Sequence, residues 1–358
     1  MSEAPGEPAR SLWSRVKGPA SFVLGVVLFI VVMRWLAPNW AELSARVEFD
    51  WRWALLGLLG TTLASFATAA RWQLLAELMG GTRLRFLVYF HGLVLTRLVG
   101  QFTSTMAMDL VGRGAALQAA GSERDLGHAA MQVVLERLFD ALLPLVLLAW
   151  ALTLRQGWLP FGPGLALVVF ALGFTALAIP LLGPATRISL RLYLWLMPRV
   201  KALIARVKAV FGKRRPDSLS PEAASKAPGS IELPEVSLRV SALVAAYSLA
   251  RFATVVLQFW GFAGAVGVDL SWDAITTATP VAQLAGMLGL TPGGLGILEG
   301  GWAVGLGWVA VDATAISLFV LAQRVGVITN FGILTAISTL ASASQRRASL
   351  PESEIGGA

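Results

Sequence analysis

Long apolar segments alternate with short polar ones along most of this chain. A helix needs about 17–25 mostly apolar residues to cross a bilayer. Six segments meet that length and predict full spans: Ala20–Leu36, Trp53–Ala70, Met131–Leu154, Gly164–Leu182, Val240–Val266 and Ala315–Ala341. Two more apolar segments, Phe86–Met108 and Ala274–Val311, do not fit this simple pattern. The hydrophobic pattern therefore predicts an all-α polytopic membrane protein.

Composition agrees with that class and removes several kinds of chemistry. The chain is 56% hydrophobic and 14% charged, with a mean hydropathy of +0.69, which is typical of a membrane-embedded protein. Cysteine is absent, which excludes disulfides and thiol catalysis. His91 and His128 lie too far apart in sequence for a metal-binding motif, and neither a phosphate-binding loop nor a catalytic Ser/His/Asp pattern occurs. We expect no cofactor, no metal and no enzymatic activity.

The net charge of +8 indicates orientation. Most lysines and arginines outside the apolar segments lie in residues 1–19, 71–85, 109–128, 185–239 and 343–358. Because cytoplasmic loops carry an excess of positive charge, both termini and the 185–239 loop are expected in the cytoplasm. These charges flank spans and form no nucleic-acid-reading module, so we expect no nucleic-acid partner.

This orientation divides the chain into five regions. The predicted domains are a tail (1–19), a first membrane half (20–184), a basic cytoplasmic loop (185–239), a second membrane half (240–342) and a tail (343–358). Within the loop, Ile188–Phe211 is predicted to be a basic amphipathic helix and Pro216–Pro234 a flexible linker.

The same orientation gives the two remaining apolar segments an unusual path. Phe86–Met108 must begin and end on one side of the membrane, and Ala274–Val311 must begin and end on the other. This predicts two re-entrant hairpins of opposite orientation. The alternative is that each segment forms two short spans.

The two hairpins occupy similar positions between polar motifs, which suggests an internal repeat. Arg71-Trp72 precedes the first hairpin and Glu136-Arg137 follows it; Arg251-Phe252 precedes the second and Gln323-Arg324 follows it. Repeats of inverted topology are typical of transport folds, in which the site lies near the membrane midplane. Chance similarity between apolar segments is the alternative.

Thr291–Gly301 interrupts the second apolar segment with proline, glycines and an acid. Open backbone at membrane depth must be buried in protein or must line a polar cavity, and a carboxylate there is energetically costly. We expect helix N-termini beside Gly293–Gly296 to offer N–H groups to an anion. The alternative is a short external loop. The candidate site residues in this run are Pro292, Gly293, Gly294, Gly296 and Glu299.

Basic residues also occur inside apolar segments, namely Arg34, Arg97, Arg137, Arg251 and Arg324. Arg34 is near the end of its segment and can reach the interface. Glu136, Arg137 and Asp140 share one helical face. Arg137 then either clamps Asp140 and a neighbouring helix, or converges with Arg251 and Arg324 on a phosphate, whose geometry arginine matches.

Three motifs resemble a known family, the lysylphosphatidylglycerol synthase transmembrane region, which is also described as flippase-like. Leu290–Glu299 resembles its Pro-Gly-Gly-x-Gly-x-x-Glu signature, Ala70–Leu75 its Arg-Trp-x-x-Leu-Leu motif, and Val133–Asp140 its Glu-Arg-x-x-Asp span. The resemblance covers about residues 20–345. Asp109 and Arg113 stand where the family carries an acid and an arginine, although the preceding proline is absent here.

The resemblance implies a lipid-translocating protein of a bacterial-type cytoplasmic (inner) membrane. Bifunctional members carry a soluble aminoacyl-transfer domain after this region; residues 343–358 are too few for one, so we expect no synthase activity. The predicted function is translocation of an anionic lipid or lipid-linked headgroup between leaflets without ATP. The alternative is a non-transporting scaffold for a lipid-modifying or glycosyl-transferring enzyme. The candidate substrate-binding residues are Arg71, Asp109, Arg113, Glu136, Arg137, Asp140, Arg251, Pro292, Gly293, Gly294, Gly296, Glu299, Gln323 and Arg324.

Overall fold

The computed structural model describes residues 23, 24, 26–35, 45, 47–80, 83–122, 126–158, 163–211, 235–288 and 291–348, which form helices and turns. The helices are α1 (Val26–Trp35), α2 (Trp51–Leu78), α3 (Phe86–Phe102), α4 (Arg113–Ala119), α5 (Leu126–Arg155), α6 (Pro163–Phe211), α7 (Leu238–Gly264), α8 (Trp272–Met287), α9 (Ile297–Gly307) and α10 (Ala313–Ala348). Short helical turns also occur at Thr105–Ala107, Met108–Gly112 and Pro292–Gly294.

Four of the described helices are long and apolar enough to cross a membrane, which makes this a multi-pass membrane protein. These apolar stretches are Trp51–Leu78, Gly164–Trp195, Leu238–Gly264 and Ala313–Gln345. The 30-residue α5 has the length of a span and carries the acidic residues of the predicted site. The predicted all-helical fold is confirmed, whereas the number of spans stays a prediction.

The predicted boundary between membrane and loop at residue 185 lies inside a helix. The span and the basic amphipathic segment join in α6, a single helix of 49 residues. Pro180 and Pro184 lie inside this helix and do not end it, as prolines in membrane helices often do not. The helix α10 likewise continues to Ala348, into the segment predicted as a tail. The linker Pro216–Pro234 and residues 1–19 lie outside the described residues.

Two antiparallel helices, α2 and α7, pack together along their whole length. The Asp50 N–H donates to the Ala265 carbonyl at one end, and the Arg71 side chain donates to the Ser248 hydroxyl further along. Glycines allow the close approach: a Cβ on Gly261 would lie 2.3 Å from the facing backbone nitrogen of Gly57. Small residues commonly permit such contacts between membrane helices. The first helices of the two predicted repeats therefore run in opposite directions.

The first hairpin is longer than the sequence predicted. Its outgoing arm is α3, and its returning arm continues through Met108–Gly112 to the end of α4 at Ala119. The predicted segment ends at Met108, just before Asp109 and Arg113, whose side chains are buried and paired with each other. Ser104 begins the returning arm by accepting a hydrogen bond from the Ala107 N–H. The π-helical turn Met108–Gly112 contains Asp109.

The second hairpin consists of α8 and α9, which agrees closely with the predicted segment 274–311. Ser271 caps α8 by accepting from the Ala274 N–H at 3.1 Å. Trp302 on α9 is fully buried, with its ring edge-to-face against Phe259 and Phe319. These aromatic contacts fix the returning arm against α7 and α10.

Each hairpin packs against the last helix of the opposite predicted repeat. In the first hairpin, α3 lies along α10, where His91 and Ser338 form a 2.9 Å hydrogen bond. In the second, α8 lies along α5. The two tips meet, because the Gly293 N–H donates to the Thr103 carbonyl at 3.2 Å. The site therefore forms where both hairpins converge between α2, α5, α7 and α10.

Candidate functional site

Two carboxylates on α5 are fully engaged by an arginine from α2. Glu136 and Asp140 are one helical turn apart and face the same neighbour. The guanidinium of Arg71 donates to Glu136 Oε1 at 2.9 Å and to Asp140 Oδ1 at 2.5 Å. A third hydrogen bond from Arg71 reaches the Ser248 hydroxyl at 2.9 Å. All three charged side chains are buried, so this pairing ties α2, α5 and α7 together.

The first hairpin contributes Asp109 and Arg113 to the same network. Arg113 pairs with Glu136 and lies 3.1 Å from Asp109 Oδ1. Its guanidinium carbon also lies 5.1 Å from the ring centroid of Trp72, within range of a cation–π interaction. Although the family's proline is absent, these two residues join the other predicted charges.

Three further arginines contact the carboxylates from the cavity side. Arg137 pairs with Asp109 and lies 3.9 Å from Asp140. Arg97 on α3 is 3.8 Å from Asp109, and Arg251 on α7 is 3.3 Å from Asp140. The clamp predicted for Arg137 is thus present, since it links α5 to the first hairpin.

Positive charge exceeds negative charge in this cluster. Among the described residues, the guanidinium groups of Arg71, Arg97, Arg113, Arg137 and Arg251 are connected to only three carboxylates. The carboxylate side chains are 2% exposed, whereas the exposed fraction is 18% for Arg97 and Arg251 and 32% for Arg137. The cations of this cluster are therefore more accessible than its acids.

A second ion pair joins the two hairpin tips. Arg324 on α10 donates through Nε to Glu299 Oε1 at 2.9 Å. Its Nη1 donates to the Gly293 carbonyl at 2.9 Å and to Gln101 Oε1 at 3.3 Å. One side chain therefore contacts both hairpins.

The glycine run has the open backbone that the sequence predicted, with Gly293, Gly294 and Gly296 in left-handed conformations. A Cβ on Gly293 would lie 2.8 Å from the Gln101 carbonyl oxygen, and one on Gly296 would lie 2.3 Å from Leu28 on α1. Both positions therefore need glycine. Pro292, buried beside them, begins the short turn at the tip.

In this conformation the N–H groups from Gly293 to Gly296 already have hydrogen-bond acceptors, and the predicted anion site at this helix terminus stays a prediction. Gly293 donates to Thr103, Gly294 to Thr291 and Leu295 to Pro292. The Gly296 N–H donates to Glu299 Oε2 at 2.6 Å, so the carboxylate of Glu299 already occupies the N-terminus of α9. An anion would therefore have to bind elsewhere than at the N–H groups of residues 293–296.

The two halves carry matching ion pairs. Asp109 on the first returning arm pairs with Arg137, and Glu299 at the start of α9 pairs with Arg324. Each arginine belongs to the motif that follows its own hairpin. An inverted repeat would place equivalent residues in this way.

A cavity of about 530 Å³ lies between the hairpins and the long helices. Small-molecule sites commonly measure about 300–1,000 Å³. Its charged and amide lining comprises Arg97, Gln101, Asp109, Arg137, Arg251, Gln258, Gln283, Gln323 and Arg324. Aliphatic and aromatic residues such as Val255, Leu298 and Phe331 line the rest. The cavity thus joins a cationic region to an apolar one.

The structure separates the predicted site residues into three groups. The supporting network consists of Arg71, Arg113, Glu136 and Asp140. The cavity is lined by Asp109, Arg137, Arg251, Gly293, Gly294, Gln323 and Arg324. The second tip is shaped by Pro292, Gly296 and Glu299. Sequence reasoning missed Arg97 and Gln101 as site residues. Arg97 had a visible signal, since it is a charge inside an apolar segment. In the described parts of the chain, no group of three or more acidic or histidine side chains is placed to hold a metal ion.

Helix content and long apolar helices define a polytopic membrane protein, and its helices surround a cavity lined by several arginines. The chain belongs to the family of the lysylphosphatidylglycerol synthase transmembrane region, whose model matches residues 22–333. The family predicted from the sequence motifs is therefore confirmed. Among curated proteins, no relative matches the chain.

Proposed function

We propose that this protein moves an anionic lipid, or a lipid-linked anionic headgroup, between the two leaflets without ATP. The supporting observation is the cavity lined by Arg97, Arg137 and Arg251, in which these cations are more exposed than the acids they contact. Membership of a lipid-handling family agrees with this proposal. Charges inside a membrane protein are costly and commonly mark a substrate pathway.

The convergence of the hairpins gives the proposed movement a path. A headgroup would pass along the cationic cavity, and its acyl chains would remain in the apolar surroundings. The Arg324 side chain links the two tips, so its contacts with Gln101 and Gly293 would have to loosen as the headgroup passes. We propose that the hairpins are re-entrant from opposite sides and meet near the midplane.

Transport is tested with the purified protein in liposomes that contain fluorescent lipids. Dithionite quenches only labels in the outer leaflet, so movement between leaflets appears as quenching beyond about one half. We expect faster quenching of anionic lipids than in protein-free liposomes, with Arg251→Gln slower than the wild type because it removes a cation from the cavity. No acceleration for any of several headgroups would refute translocation. Wild-type copurification with a lipid-modifying or glycosyl-transferring enzyme would then favour a scaffold.

Topology is tested separately with introduced cysteines, since the natural chain has none. Arg83 precedes the first hairpin and Asp269 precedes the second, and both are exposed. In an inner membrane with cytoplasmic termini, Arg83→Cys should react with an impermeant thiol reagent only from the cytoplasm, and Asp269→Cys only from outside. Reaction of both from the same side would contradict the inverted arrangement.

A further inference from the structure

We infer that the cavity selects a headgroup with two negative charges on one phosphate, a phosphate monoester, over the singly charged phosphodiester of most phospholipids. This inference rests on the proposed function, because it names the substrate class of the same cavity. It follows from how the charges of the site are divided between tight pairs and exposed cations.

Three arginines neutralise the three carboxylates through the closest contacts. Arg71 donates to both Glu136 and Asp140, at 2.9 and 2.5 Å. Arg113 shares Glu136 with Arg71, and it also pairs with Asp109 at 3.1 Å. Arg137 forms a close pair with Asp109. Every carboxylate of the cluster is therefore paired with at least one of these three arginines, without any contribution from the other two.

Arg97 and Arg251 are the surplus cations. Arg97 approaches a carboxylate only to 3.8 Å, at Asp109, and Arg251 only to 3.3 Å, at Asp140. Both line the cavity and keep 18% of their side chains exposed. Two positive charges thus remain for a ligand. Neither arginine is required to neutralise a buried acid.

An unused amide donor supports the presence of a ligand. Gln323 is 1% exposed and lines the cavity, and its Nε2 has no hydrogen-bond partner within the described residues. Buried polar atoms are nearly always satisfied, so such an atom calls for a partner. A phosphate oxygen would accept from this amide as well as from the guanidinium groups, which bind phosphate bidentately.

Charge balance then distinguishes the two phosphate classes. A phosphate monoester carries nearly two negative charges near neutral pH because its second pKa is about 6. It would neutralise both surplus cations. A phosphodiester would leave one guanidinium without a counter-charge in a poorly solvated cavity, which is unfavourable.

The test compares binding of two lysolipids with the same acyl chain to the full-length detergent-purified protein. Lysophosphatidic acid presents a monoester and lysophosphatidylglycerol a diester. At pH 7.5 we expect the monoester to bind at least about tenfold more tightly, the size of effect expected from one charge-assisted contact. At pH 5 the monoester loses most of its second charge, so the preference should disappear.

Variants connect this preference to the two surplus cations. Arg97→Gln and Arg251→Gln should each weaken binding of the monoester by about tenfold and change diester binding less. Arg97→Lys should retain the preference because it keeps the charge. Arg83→Gln is the matched control, since Arg83 is 84% exposed and remote from the cavity lining. Size-exclusion profiles verify that each variant is folded.

The outcomes separate this inference from the proposed function. Equal affinity for both lysolipids at pH 7.5, or an unchanged preference in folded Arg97→Gln and Arg251→Gln proteins, would overturn the charge selection. Monoester preference without lipid movement in liposomes would support it and refute translocation alone. Inorganic phosphate supplies the last arm: weaker binding than the lysolipid assigns the site to a lipid, and equal binding assigns it to free phosphate. Either result supports a dianionic ligand.

Discussion

Replacing Glu136 with glutamine removes a negative charge that Arg71 and Arg113 share. Both carboxylate oxygens are used, Oε1 by Arg71 and Oε2 by Arg113. Glutamine offers one acceptor, and its amide donor would face a guanidinium donor. Removing one partner of a buried ion pair costs about 3–5 kcal/mol. We expect Glu136→Gln to lower the free energy of unfolding by about that amount.

Thermal stability provides the measurement. A loss of this size corresponds to a decrease on the order of 5–10 °C in the midpoint for a chain of this length. Because membrane proteins often unfold irreversibly, the folded fraction is measured by size-exclusion chromatography after heating at one fixed rate. Glu77→Gln is the matched control: the Glu77 side chain is 31% exposed and pairs at 3.4 Å with an 84% exposed Arg83. Such a surface pair contributes at most about 1 kcal/mol.

The surplus of positive charge also predicts how a second substitution, Arg97→Gln, affects stability. Arg97→Gln alone should leave stability nearly unchanged, because Asp109 keeps its contacts with Arg113 and Arg137. Combined with Glu136→Gln, it should recover part of the lost stability, on the order of 1 kcal/mol, by reducing repulsion among the remaining cations. A Glu136→Gln protein as stable as the wild type would refute the reasoning. So would additive effects in the double variant.

Two glycine substitutions test the packing that positions the site. Gly261→Ala should cost about 1–3 kcal/mol, because its Cβ would lie 2.3 Å from the facing backbone of α2. Gly332→Ala, with no atom within 4 Å of its added Cβ, should be neutral or slightly stabilising in the same melting assay; similar losses in both would contradict the close approach. Gly293→Ala should slow lipid movement while the protein stays folded, because its φ of 58° and the nearby Gln101 carbonyl both disfavour a side chain. Gly300→Ala has open space and should transport normally, and equal rates for these two variants would argue against a role for the tip contact.

Hydrophobic periodicity and charge bias predicted much of the helical framework. The apolar runs around α2, α7 and α10 were located to within a few residues at most ends, because their composition alone satisfies the requirement for membrane insertion. The second hairpin was located equally well. Its proline and glycines interrupt the helix by themselves. This break can therefore be recognised from the sequence without knowing which distant residues contact it.

The helices extend beyond the apolar segments where polar residues are buried by long-range partners. The first of the two hairpin segments ends at Met108 in the hydrophobic pattern, and Asp109 and Arg113 follow it. Their partners include Glu136, which is 23 residues beyond Arg113. A window of sequence cannot distinguish a charge exposed in a loop from one neutralised inside a bundle. The chain continues as a helix through α4 because Asp109 and Arg113 are neutralised inside the bundle.

Which arginines pair with acids and which remain available for a ligand could not be predicted from the sequence, for a related reason. Arg137, Arg251 and Arg324 were grouped as one phosphate site, whereas Arg324 is already engaged by Glu299 and the tips. Arg97 was recognised as an intramembrane charge but was not assigned to the site. Its role becomes apparent only once each carboxylate has been matched to its closest cations.

A purely structural network would gain stability from equal numbers of acids and bases, since every uncompensated buried charge is unfavourable. This cluster instead keeps Arg97 and Arg251 beyond what its three acids neutralise, and both face the cavity. The Glu299 carboxylate, by contrast, pairs with Arg324 and caps α9 without adding to the surplus. The second tip therefore holds the hairpins together, and the first hairpin with α7 supplies the cations for the ligand. If that is correct, neutralising Arg97 and Arg251 will separate binding from folding, whereas neutralising Glu136 will damage both.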